Sequence, residues 1–194
     1  DRDSEAAAKG KAHSAALMDA AIRKGKATEE EKQQLLERIM PASDIGALSS
    51  CDLVIEAVFE DSEVKRRVIE QAEAVLPANA VMASNTSTIP ITSLARFSPQ
   101  PESFVGIHFF SPVDRMMLVE IIVGEATGQA AIAAAFDYAR AIGKTPVIVN
   151  DTRGFYVNRC VLGYIGEAYE MLIEGVPPPM IENAARMAGM PVGP

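Results

Sequence analysis

The stretch Gly106-Ile107-His108-Phe109-Phe110-Ser111-Pro112 holds one of the chain's two histidines, and an acidic residue, Glu120, closes the run Met116-Met117-Leu118-Val119 that follows, an apolar run that reads as buried. An imidazole with an unperturbed pKa of about 6.5 can take up a proton and return it near neutrality. A carboxylate that ends an apolar run needs a partner, because burying it alone is costly. If that partner is His108, Glu120 fixes the tautomer of the ring and stabilises the imidazolium. A histidine between Ile and Phe also fits a blander role, that of a core residue with a satisfied hydrogen bond.

The elements that must position these groups are legible on either side. Phe104-Val105-Gly106-Ile107 reads as a buried strand that Ser111-Pro112 breaks at once, so His108 is expected at or just past the strand's C-terminal end. That is where ligands bind in open α/β sheets. Upstream, residues 4–24 are Ala-rich with spaced Leu17, Met18 and Ile22, which predicts a helix closed by Gly25. His13 lies there among small and polar residues and reads as solvated. Thr28 and Glu31 have capping-box spacing, so a second helix is expected through Leu35, Leu36 and Ile39, stopping before Pro41.

Asp52-Leu53-Val54-Ile55-Glu56-Ala57-Val58 has the pattern of a strand buried on both faces of a parallel sheet. A helix over residues 62–76 and a short strand over 80–83 follow. Ser84-Asn85-Thr86-Ser87-Thr88 comes immediately after that strand, where its polar groups either cap a helix from about Ile91 or face a ligand. Leu118 to Val123 reads as a further strand, residues 129–142 as a helix ending at Gly143, and residues 145–149 as the last strand. Strands alternating with helices predict a doubly wound α/β sheet. After Asn150-Asp151 the pattern becomes helix upon helix, over 154–173 and again from Pro177-Pro178-Pro179. The expected organisation is a sheet domain over 1–150 and the start of a helical domain over 151–194.

Composition narrows the chemistry. The chain has 194 residues, 48% hydrophobic and 23% charged, with a net charge of −8. An acidic surface argues against a nucleic-acid partner. Cys51 and Cys160 are far apart and in no metal-ligand cluster, which indicates neither zinc nor a disulfide and fits a reducing compartment. No apolar run reaches membrane-spanning length. A zinc-dependent alcohol dehydrogenase needs ligands that the chain does not offer. A tyrosine-dependent reductase should carry Lys four residues beyond a Tyr, and those positions are Ile142, Cys160, Ala168 and Ile173. For oxidation of an alcohol by a nicotinamide cofactor, a histidine base is what remains, with Ser87 and Asn158 able to hold the substrate oxygen.

Three segments together, Ser84-Asn85-Thr86-Ser87, Gly106 through Glu120, and Asp151-Thr152-Arg153-Gly154-Phe155-Tyr156-Val157-Asn158-Arg159, resemble the signatures of the L-3-hydroxyacyl-CoA dehydrogenases. The chain is most similar to the dehydrogenase part of bacterial multifunctional fatty-acid oxidation proteins. It departs from stand-alone members at Ser111 and Arg153, where those usually have Asn and Pro. The resemblance implies a Rossmann-like fold, NAD as cofactor and oxidation of (S)-3-hydroxyacyl-CoA, with His108 as base oriented by Glu120. It further implies that Ser87 and Asn158 bind substrate, Ser87 also lying near the nicotinamide. Glu60, Lys65, Asp1 and Ser111 would contact the cofactor, and Lys24 the CoA phosphates. On residue type alone, Glu60 and Lys65 read as solvated charges at a helix start.

Such a fold also requires a G-x-G-x-x-G loop after its first strand. No glycines here have that spacing, so the opening βαβ is expected ahead of Asp1, the strand after Cys51 should present a bare edge, and both ends read as internal points of a longer protein. A homodimer or a multifunctional complex, and a cytoplasmic location in a bacterium or a mitochondrial or peroxisomal one in a eukaryote, are expected by the same resemblance. Two further readings stay open, an acetoacetyl-CoA reductase of short-chain metabolism and a non-catalytic binder of CoA or nucleotide.

Overall fold

Local capping and alternating apolar runs account for most of the elements in the computed structural model, which describes residues 1–190 and 192–194. Packing divides the chain into two units, Asp1–Cys51 with Ala74–Pro77, and Asp52–Glu73 with Ala78–Pro194.

In the first unit, helix α1 (Ser4–Arg23) starts where Asp3 accepts the N–H of Ala6 at 2.7 Å. It ends at Lys24, with Gly25 beyond it at φ +65°, a conformation that favours glycine. The capping box predicted for α2 (Glu29–Glu37) is present in both directions: Thr28 Oγ1 accepts the Glu31 N–H and Glu31 Oε2 accepts the Thr28 N–H. The helix is shorter than expected, with Arg38 as its C-cap. Arg38 and Ile39 donate three residues back, to Leu35 and Leu36, which tightens the last turn ahead of Met40-Pro41. His13 is exposed.

The second unit is built on five strands: β1 (Leu53–Glu56), β2 (Val81–Ser84), β3 (Phe104–Phe109), β4 (Leu118–Val123) and β5 (Thr145–Asn150). They lie side by side in chain order. β1, β2 and β3 are parallel, β4 runs antiparallel to β3, and β5 is parallel to β4. The reversal at β4 was not predicted, since an apolar run carries no direction. Helices α3 (Ser62–Glu73), α4 (Ile91–Ala95) and α5 (Gln129–Ala141) accompany the sheet, and α6 (Val157–Ile173) and α7 (Pro178–Met187) follow it.

One face of the sheet packs Val105, Ile107, Val119 and Ile121 against Ala131, Ala135 and Ala139, small residues at helical spacing on α5. On the other face, a Cβ at Gly106 would meet Ile122 Cβ at 2.7 Å and Ile91 Cγ1 at 2.8 Å, so glycine is what lets α4 approach β3 there. His108 and Glu120, two residues along from Gly106 and Ile122, project from this second face.

β1 lies at the edge of the sheet, as expected for the strand after Cys51. Three other expectations are corrected. Leu53, Val54 and Ile55 of β1 are only half-buried, so the strand is not covered on both faces. Met116 and Met117 are 40% and 55% exposed, in a loop whose Val113 and Met116 carbonyls accept from the Lys144 ammonium. Helix α6 starts at Val157 rather than near Gly154, because Gly154 at φ +77° and Phe155 at φ +50° form a left-handed turn that no α-helix can include. The predicted helix over 62–76 and strand over 80–83 also shift slightly, to α3 and β2 as given above.

Candidate active site

The antiparallel register sets His108 directly opposite Glu120. Side chains so paired project from the same face with Cβ atoms roughly 5 Å apart. The imidazole Nδ1 lies 2.8 Å from Glu120 Oε2, with His108 4% and Glu120 0% exposed. Glu120 Oε1 accepts the N–H groups of Tyr156 at 3.0 Å and Val157 at 2.8 Å, at the start of α6. Burial pushes the Glu120 carboxyl upward, but the hydrogen bond from His108, followed by those from Val157 and Tyr156, outweighs it and holds the group below its ordinary value. An ionised carboxylate can only accept, so Nδ1 carries the proton in the neutral ring and Nε2 holds a lone pair. Two aromatic rings flank the imidazole, Phe110 at 4.5 Å and Phe155 at 5.7 Å between centroids. The left-handed turn at Gly154 and Phe155 is what folds Phe155 inward, to 1% exposure.

The polar loop after β2 is organised by a second carboxylate. Glu60 Oε1 accepts from Thr86 Oγ1 at 2.6 Å, the Ser87 N–H at 3.0 Å, the Thr88 N–H at 2.9 Å and Thr88 Oγ1 at 3.0 Å. Glu60 Oε2 receives no hydrogen bond among the described residues and lies 3.4 Å from Lys65 Nζ. Partial burial alone would raise the Glu60 pKa, but the bonds from Thr86 and Thr88 and the Lys65 charge bring it down to about 2. Asn85 Oδ1 accepts the Phe109 N–H at 2.9 Å, tying this loop to the end of β3. Asn158 Nδ2, in the first turn of α6, donates to the Ser87 carbonyl at 3.0 Å. The half-buried Ser87 hydroxyl makes no hydrogen bond among the described residues, although Ser84, Asn85, Thr86 and Thr88 all do.

His108 and Glu120 thus stand together, as do Ser87, Asn158 and Glu60. Ser111 is exposed just past β3. Lys65 is not the free cation that a direct cofactor contact supposes. It is 1% exposed, and its three protons face Glu56 Oε1 and Oε2 at 3.0 Å each and the Val58 carbonyl at 3.3 Å. Asp1 and Lys24 belong to the first unit and are exposed. Asp1 lies in no strand, and its backbone ammonium donates to the Ala42 carbonyl at 2.7 Å.

Two structural roles escaped sequence reasoning. Glu56 accepts from Lys65, from the Ser84 hydroxyl and from the Val58 N–H at 3.1 Å. Asp151 caps α4, accepting from the N–H groups of Ile91 at 2.9 Å and Thr92 at 2.7 Å, the role expected of the 84–88 cluster. A carboxylate in the middle of an apolar strand was the signal available for Glu56. Asp151 sits 60 residues from the helix that it caps, and no local pattern marks it.

The 3-hydroxyacyl-CoA dehydrogenase NAD binding domain matches residues 1–152, and the 3-hydroxyacyl-CoA dehydrogenase C-terminal domain matches residues 154–194. Among curated relatives, the fatty acid oxidation complex subunit alpha of Pseudomonas aeruginosa is 41% identical over 180 residues, 93% of this chain and 25% of that protein. The corresponding subunit of Shewanella amazonensis is 38% identical over 178 residues. The chain spans about a quarter of the length of these relatives. Among solved structures, the (S)-3-hydroxybutyryl-CoA dehydrogenase of Ralstonia eutropha matches all of this chain and 69% of its own, with a TM-score of 0.96 and 36% identity. The 3-hydroxybutyryl-CoA dehydrogenase of Escherichia coli matches all of this chain and 42% of its own, with a TM-score of 0.95 and 38% identity. The family match from end to end, set on an α/β sheet that runs into two helices, means that this chain belongs to the 3-hydroxyacyl-CoA dehydrogenase family.

Proposed function

We propose that the chain carries the catalytic and part of the cofactor-binding machinery for NAD-dependent oxidation of (S)-3-hydroxyacyl-CoA to 3-ketoacyl-CoA in fatty-acid oxidation. The observation that carries this reading is the buried Nδ1–H to carboxylate bond between His108 and Glu120. It leaves Nε2 as the nitrogen able to take the substrate's hydroxyl proton, while Glu120 stabilises the imidazolium that results. Because the other oxygen of Glu120 is held by the start of α6, the ring is oriented by a carboxylate that is itself fixed. The Ser87 hydroxyl and Asn158 hold the substrate oxygen, and Phe110 and Phe155 keep water from the imidazole.

The residues fit a ribose-bearing cofactor. Parallel strands β1, β2 and β3 bring Glu60, Ser87 and His108 to their carboxyl ends, the usual ligand side of an open α/β sheet. There, among the described residues, Glu60 Oε2 is an acceptor without a donor and the Ser87 hydroxyl has no partner. Bound NAD supplies the acceptor for the hydride that leaves the substrate carbon. Glu60 would take a hydroxyl group of this cofactor. Ser111 and Asp1 would add further cofactor contacts, and Lys24 would meet the CoA phosphates.

We assign residues 1–150 to the cofactor domain and 151–194 to the start of a helical substrate and dimerisation domain. Helices α6 and α7 leave Leu162, Ile173, Met180 and Met187 between 61% and 88% exposed, which suits either a second copy or the remainder of a multifunctional complex. Among the described residues no helix is long and apolar enough to cross a membrane. A cytoplasmic site of action follows the bacterial source of the fatty acid oxidation relatives.

The test is NADH formation by the full-length protein, including the segment that carries the Gly-rich loop, from (S)-3-hydroxybutyryl-CoA and from a long-chain homologue, with His108→Gln alongside; these residues alone are expected to be inactive. Loss of about a hundredfold or more in turnover is expected, the scale of a missing general base. A folded, NADH-binding protein that oxidises neither substrate would overturn the proposal. The likeness to the Ralstonia eutropha enzyme favours a second reading, a short-chain 3-hydroxybutyryl-CoA dehydrogenase or the reverse-running reductase, and a strong preference for the four-carbon substrate would select it.

A further inference from the structure

Glu56 and Lys65 are a buried ion pair, each side chain 1% exposed, and the proposed reaction has no use for Glu56. Lys65 stands between two carboxylates. It makes a bidentate pair with Glu56 at 3.0 Å to both oxygens, while Glu60 Oε2, at 3.4 Å, receives no hydrogen bond from it. Glu56 is anchored in turn by the Ser84 hydroxyl and the Val58 N–H, and the third Lys65 proton goes to the Val58 carbonyl. A buried ammonium must be paired, and its charge will follow whichever carboxylate is in reach.

From this geometry, and resting on the cofactor reading above, we infer that Glu56 is a positioning residue that holds Lys65 away from Glu60 and so keeps Glu60 Oε2 open to accept a hydroxyl group of the bound cofactor. Without the Glu56 charge, Lys65 closes onto Glu60 Oε2. Glu60 then has both oxygens occupied by the protein, the first already taking four donors from residues 86–88. A purely structural Glu56 would lower stability when removed without acting on the cofactor through Lys65.

The experiment uses the full-length protein with Glu56→Gln and with the double variant Glu56→Gln/Lys65→Met. It measures the Kd for NADH by fluorescence without acyl substrate, the KM for NAD, kcat and Tm. Glu56→Gln is expected to weaken NADH binding and raise KM about tenfold, the scale of one charge-assisted hydrogen bond, with kcat at saturating NAD changed less than about threefold. Taking away the competing ammonium in the double variant should return the Kd to within about threefold of wild type. The inference fails if Glu56→Gln binds NADH normally at a lowered Tm, or if the double variant binds no better than the single one. Where Glu56→Gln does not fold, the double variant decides alone, near-normal binding supporting the inference and a tenfold loss overturning it. Wild-type protein that binds NADH but oxidises no hydroxyacyl-CoA would sink the functional proposal and leave this comparison of Kd values standing.

Discussion

Glu120 and Glu60 are both carboxylates held below their ordinary pKa by donors gathered from distant parts of the chain, yet one is closed and the other open. Glu120 is fully buried, with one oxygen given to His108 and the other to the first N–H groups of α6. Glu60 is 36% exposed and has every donor crowded on one oxygen. The difference separates two uses of a negative charge. A saturated carboxylate fixes what surrounds it, while a half-saturated one fixes a loop and still has an oxygen to offer a ligand.

Substitutions can break that contrast from either side. Lys65→Met should have the largest effect on stability, since it leaves Glu56 buried without a counter-ion, and about 3–5 kcal/mol is the usual cost. Urea unfolding would read it, and a variant within about 1 kcal/mol of wild type would mean that the ion pair with Glu56 adds little to folding. Glu120→Gln comes next. Its amide cannot accept from both His108 and the α6 N–H groups, so about 2 kcal/mol should be lost, and turnover should fall because the ring tautomer is no longer held. Retained turnover with lowered stability would reduce Glu120 to a helix cap.

Glu60→Gln should cost less, about 1 kcal/mol at neutral pH once solvent screening is allowed for. Its sharper signature is in acid. The folded pKa of about 2 lies below the ordinary 4.5, so the stabilisation is complete above 4.5 and is lost as the pH falls from 4.5 towards 2. Wild type should therefore lose stability across that window more steeply than the variant, and parallel acid unfolding curves would contradict an ionised Glu60 at the centre of the loop. Smallest of all is Glu73→Gln. Burial raises the Glu73 pKa, more than the Ser98 hydroxyl at 2.7 Å can offset, and its Oε2 has no partner among the described residues. A raised folded pKa means a cost that appears as the pH rises through it, so the neutral amide should stabilise the protein by about 0.5 kcal/mol or less at pH 7 and by nothing in acid. A calorimetric Tm at the two pH values would decide.

What could be read in the sequence was whatever is settled locally. The capping box at Thr28 and Glu31 needs three residues, and β-branched runs such as Leu53-Val54-Ile55 announce strands wherever they end up in a sheet. The pairing of His108 with Glu120 was also legible, because a carboxylate at the end of an apolar run demands a partner and a histidine stands twelve residues away. Direction and exposure were not legible. Nothing in Leu118-Val119 says that β4 runs against β3, and Met116-Met117 looked buried although the loop stays outside. Lys65 read as solvated because its burial depends on Glu56, which the fold brings to it and which Ser84 of the neighbouring strand anchors.

Two helix starts in this molecule are capped from elsewhere, α6 by Glu120 of β4 and α4 by Asp151 between β5 and α6. The point where the sheet gives way to helices looks like an obvious seam for recombination, and it is the wrong one. A chimera joined at Asn150 would take each cap from one parent and its helix from the other, and the turn that carries Phe155 and Asn158 would inherit the mismatch. Anyone transplanting a different substrate domain onto this scaffold should move β4, Asp151 and the first turn of α6 as a single cassette.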